Sequence, residues 1–118
     1  MVLDMHCFMR NRRVNQVTDF DLIFGTDYRQ TVLYEEPDRE LGLYLQKSGY
    51  SVFVPEKKDS LPGGDPFRSG FISKYLSWKH EVNTLQIEIE RRFRSKDSTN
   101  EGVRLAKTLA EWLAVTSK

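Results

Sequence analysis

Thr84-Leu85-Gln86-Ile87-Glu88-Ile89-Glu90 alternates apolar and polar residues without a break. A period of two puts Leu85, Ile87 and Ile89 on one face of a strand and Gln86, Glu88 and Glu90 on the other. Glu and Gln favour helices, so a helical reading competes, but the period decides for a strand. A chain built on this strand must bring apolar side chains against one face. It must also accommodate three polar groups on the other.

Flanking segments supply the remaining elements. Val2-Leu3-Asp4-Met5 reads as a short strand, and Asp21-Leu22-Ile23-Phe24 as a buried strand stopped at Gly25-Thr26-Asp27. Tyr50 to Val54 is rich in β-formers and stops at Pro55. Pro37 followed by Asp38 and Glu40 marks a helix start, because proline suits the first turn and acids suit the dipole there. Leu41, Tyr44 and Leu45 continue it at helical spacing, and Gly49 stands where a C′ glycine ends a helix. Ser98-Thr99-Asn100-Glu101 fits a capping box ahead of an apolar face of Val103, Ala106, Leu109, Ala110 and Leu113. Arg10 to Gln16 and the turn-rich Lys57 to Asp65 read as loops. The expected order is strand, loop, strand, helix, strand, long loop, strand, helix. Such alternation predicts an α/β fold with a mostly parallel sheet and flanking helices, in one domain over residues 1–118.

Composition narrows the function classes. Lys and Arg number 18 against 17 Asp and Glu, and a net charge of +1 exerts no global pull toward nucleic acid or an anionic membrane. No run reaches the roughly 18 apolar residues of a membrane span. The first residues lack the basic start and apolar stretch of a signal peptide. Cys7 is the sole cysteine, so no internal disulfide forms, and the expected compartment is the reducing cytoplasm. Cys7 is expected to be a small buried residue on the face opposite His6.

Several residues could carry chemistry. Asp4 and His6 stand at i and i+2 of a strand and so share a face, where the acid can orient the imidazole or both can bind a metal. A satisfied polar pair explains them as well. Glu88 can act as a general base if a cleft lies above it, or simply belong to the solvated face of an antiparallel or edge strand. The glycine-rich stretch Pro62-Gly63-Gly64 and the segment Pro66 to Phe71 lack phosphate-loop spacing. They read as a surface loop, or as one that folds over a substrate with Arg68 reaching a carboxylate. His80-Glu81 begins the H-E-x-x-H pattern without its second histidine. The clusters Arg10-Asn11-Arg12-Arg13 and Arg91-Arg92-Phe93-Arg94 are short and come with no nucleic-acid motif.

Taken in order, these pieces resemble a known family. Leu3-Asp4-Met5-His6-Cys7 is similar to the D-x-H-S strand end of the N-formylglutamate amidohydrolases, and Asp21 to Thr26 resembles that family's D-[IV]-[VI]-[LI]-G-T. Gly49-Tyr50-Ser51-Val52 resembles G-Y-x-V, Pro66 to Ile72 resembles P-[YF]-x-G-G-[YF]-[IT], and Thr84 to Arg91 resembles A-L-Q-[LI]-E-[IL]-N-R. The resemblance runs through most of the chain up to Arg94. It implies a phosphorylase/hydrolase-like α/β fold related to the zinc carboxypeptidases, in which a zinc-bound water attacks an amide carbonyl. On that mapping His6 is a zinc ligand, Glu88 the general base, and Phe67, Arg68 and Gly70 lie beside the substrate. Arg91 matches the motif's arginine.

The chain departs from the family pattern. The early H-x-x-E segment with the first two ligands does not precede Val2, and His80 does not align with a ligand. Ser69 stands for a glycine, Asn83 for a histidine and Glu90 for an asparagine. The expectation is a partial or degenerate zinc amidohydrolase-like domain, truncated at its N-terminus, with zinc absent or weakly bound. Its partner, if active, is a small-molecule amide; no nucleic acid or membrane is expected. The exposed sheet edge left by missing strands implies a homo-oligomer. The alternative is a non-catalytic ligand- or protein-binding domain that keeps the fold.

Overall fold

The computed structural model describes residues 1–8, 20–27, 29–56, 70–94 and 99–116. Four strands, β1 (Val2–Phe8), β2 (Leu22–Gly25), β3 (Val52–Phe53) and β4 (Thr84–Glu90), form one sheet in the order β1-β4-β2-β3. Three helices accompany them: α1 (Pro37–Lys47), α2 (Phe71–His80) and α3 (Thr99–Thr116). A 3₁₀ turn over Arg91–Arg94 leaves the end of β4.

The sheet is mixed. β1 runs parallel to β4, and β2 parallel to β3, but β2 and β4 are antiparallel. Two of the three pairings are parallel, as a mostly parallel sheet requires, and the β2–β4 pairing is the antiparallel exception. Alternation of elements sets their order but not which strands pair. β4 inserts between β1 and β2 after a connection long enough to return in either direction.

The alternation of β4 decides the layering. Leu85, Ile87 and Ile89 join Leu22, Phe24 and Val52 on one face, under Leu41 and Leu45 of α1 and Leu105, Leu109 and Trp112 of α3. Burying such side chains supplies the main drive to fold, about 1.5–3 kcal/mol each. The proline and acids expected at the start of α1 are there, and the helix stops as its sequence implies. The Tyr50 N–H donates to the Leu45 carbonyl at 3.0 Å and the Gly49 N–H to that of Gln46 at 3.0 Å. This closure needs a left-handed residue, and Gly49 has φ of 100°. Gly42 on the same helix lets α1 approach β3, since a Cβ there would lie 2.4 Å from a Val54 methyl.

Helix α2 lies between the expected long loop and β4, in a stretch where the sequence marks no element. Its amphipathic signal is inverted. Ser73 and Ser77 face the protein and are buried, while Phe71 is 80% and Trp78 81% exposed. A search for apolar residues on an inward stripe therefore passes over it.

Candidate functional site

The polar face of β4 is buried, not solvated. β4 is an inner strand, with β1 on one side and β2 on the other, and Gln86, Glu88 and Glu90 are all buried. This overturns the expectation of a wet edge strand. The parallel register sets Asp4 beside Gln86 and His6 beside Glu88. Side chains paired in register share a face, so four polar groups converge toward the carboxyl ends of β1 and β4. Ligand sites of open α/β sheets lie at such ends.

A hydrogen-bond chain fixes these groups. Gln86 Nε2 donates to Glu88 Oε1 at 3.2 Å. Gln86 Oε1 accepts from the Gly70 N–H at 2.6 Å, tying Glu88 to the first turn of α2. Ser73 Oγ on α2 donates to Asp4 Oδ2 at 2.9 Å, and the other oxygen of Asp4 lies 3.1 Å from His6 Nε2. The α2 face that the sequence disguised is thus the one that holds the site from above.

Burial changes the acidity of the central carboxyl. Glu88 is 5% exposed. Loss of water around it pushes its pKa from 4.5 up to about 7; a charged His6 imidazole draws it down and the Asp4 carboxylate raises it again. A carboxyl poised near neutrality can take or give a proton at little cost, which general acid–base chemistry requires.

The residues singled out in the sequence fall into three groups. His6 and Glu88 are brought together, with Asp4. Gly70 is at the N-cap of α2, its amide held by Gln86. Phe67 and Arg68 lie outside the described residues, as do Arg10 to Arg13. Cys7 is exposed, contrary to expectation, because β1 is the outer strand. His80 ends α2, and its ring meets that of Tyr75 edge-on. Arg92 pairs with Asp21 at 2.5 Å, so one member of the second basic cluster closes the fold. Gln86 and Ser73 were not picked out. The alternation of β4 carried a signal for Gln86, two residues before Glu88 on the same face; nothing marked Ser73.

The described residues do not by themselves fit a catalytic zinc. His6 directs Nε2 at Asp4, and among the described residues no three of His, Cys, Asp and Glu are placed to hold a metal ion. Three protein donors and an open position are the usual requirement. Among the described residues no helix is long and apolar enough to cross a membrane. No protein-family model, no curated protein and no solved structure matches this chain.

Proposed function

We propose that this chain is a partial amidohydrolase-like domain in which Glu88 is the proton carrier and His6 its neighbour at the reacting centre. The substrate class is a small N-acyl or N-formyl amino acid amide, as the resemblance to the N-formylglutamate amidohydrolases implies. One observation carries the reading: a buried carboxyl with a pKa near 7 sits in register with an imidazole on one face of the sheet. Perturbed acids beside a second titratable group concentrate at functional sites. The phosphorylase/hydrolase-like fold and a family metal belong to the same proposal, and the metal would need donors beyond His6.

The test is hydrolysis of N-formyl amino acids by the purified chain, with zinc calorimetry alongside. Glu88→Gln should abolish turnover and leave metal affinity unchanged, because it removes the proton acceptor while keeping the shape. If donors beyond the described residues complete a zinc site with His6, His6→Ala should abolish that binding. Turnover that survives Glu88→Gln would remove the central assignment; zinc affinity that survives His6→Ala would remove the ligand.

A second reading is a non-catalytic binding domain on the same fold. The exposed Phe71, Tyr75 and Trp78 along α2 favour it, since aromatic side chains of this kind are enriched in interfaces. A folded chain with neither zinc binding nor turnover would select it.

A further inference from the structure

β1 is the outermost strand of the sheet, and among the described residues no strand lies on its far side. The Val2 N–H donates to the Asn83 carbonyl at 2.9 Å, so Val2 turns its backbone groups toward β4. Backbone direction alternates along a strand. Asp4, His6 and Phe8 therefore also face β4, and Leu3, Met5 and Cys7 point their amides and carbonyls outward. Such a row is a template for another strand.

A second copy of β1, laid antiparallel, complements the first in one register. The outward groups can bond only where odd-numbered residues face odd-numbered residues. With Met5 opposite Met5, all seven residues of Val2–Phe8 pair. Leu3 then faces Cys7 of the second copy, and Asp4 faces His6 of the second copy in the closer, non-hydrogen-bonded positions. The two neighbouring registers pair only five residues each, and one of them sets Asp4 against Asp4. On the opposite face the strip Leu3, Met5, Cys7 is incompletely covered in a single copy, with Met5 46% exposed.

We propose that a second copy of this chain pairs antiparallel along β1, with the twofold axis at Met5, to make one continuous eight-stranded sheet. The acid and imidazole of each copy then alternate around the axis on one face, and the side chains of Leu3, Met5 and Cys7 close on the other. This isologous arrangement is the commonest form of dimer symmetry. It does not depend on turnover at Glu88.

Sedimentation of the full chain should show a dimer. Asp4→Lys and His6→Glu should each weaken it about tenfold or more, because the first removes the acid that faces His6 and the second sets two carboxylates against each other. A one-to-one mixture of the two variants should regain the dimer, since Lys then faces Glu and His faces Asp. Met5→Cys in a Cys7→Ser background should cross-link under mild oxidation, because facing Cα atoms of a hydrogen-bonded pair are about 5.5 Å apart, within disulfide reach. The wild-type chain should not cross-link, because its two Cys7 residues would be offset by four residues, about 13 Å. A monomer, or a dimer that ignores both charge variants and leaves Met5→Cys uncross-linked, overturns the proposal.

Discussion

Glu88→Gln should make the fold more stable at pH 8 by on the order of 3 kcal/mol and change it little at pH 4. The sign follows from the direction of the shift. The folded carboxyl has a pKa of about 7 against 4.5 for the ordinary group, so between those values the folded state binds the proton more tightly. Stability therefore falls as pH rises from 4.5 through 7, and above 7 the full cost of an ionised buried carboxylate is present. A rise from 4.5 to about 7 corresponds to on the order of 3 kcal/mol, an upper figure that water entering the site reduces. Glutamine has no charge to bury and its carbonyl can still accept from Gln86. Urea unfolding at the two pH values reads the effect, and a variant no more stable than wild type at pH 8 would show that Glu88 carries no such cost. Such a cost would accord with the proton-carrier role proposed for Glu88.

Asp38→Ala should destabilise the chain by about 3–5 kcal/mol, the cost of leaving one member of a buried ion pair alone. Asp38 is fully buried in the first turn of α1 and accepts two hydrogen bonds from the Arg29 guanidinium, one of them at 3.2 Å to Oδ1. Arg29 adopts a left-handed backbone with φ of 69°, so the pair also pins the turn after β2. A loss of this size is a large part of the 5–15 kcal/mol of an ordinary domain. Replacing both residues together, as Arg29→Met with Asp38→Leu, should cost less than Asp38→Ala alone, because no charge is then stranded. If the double variant is the less stable one in denaturant unfolding, the pair contributes more than its mutual neutralisation.

Much of the framework was legible because it rests on short-range rules. The period of two over Thr84–Glu90 marks β4 to the residue, and Pro37 and Gly49 bracket α1. Other features depend on contacts the sequence does not display. Strand direction in the β2–β4 pair arises from where the chain re-enters the sheet. Helix α2 hides because serines, not leucines, face inward, and those serines have tertiary partners: Ser73 on Asp4 and Ser77 on the Thr31 carbonyl. Glu88 was visible as a carboxylate on a polar face, and Asp4-x-His6 as a pair. That they share a face follows only from the parallel register of β1 and β4. That Gln86 and Glu88 are buried on it follows from the inner position of β4 and from α2 above it.

The most direct test of the site is a ¹³C NMR titration of the Glu88 side-chain carboxyl, in the wild-type chain and in His6→Ala. The geometry predicts a midpoint near 7 in the wild type. Removing His6 should move it higher still, since the imidazole is the group that favours the ionised form. A midpoint in the ordinary carboxylate range, unmoved by His6→Ala, would contradict a buried proton carrier coupled to His6.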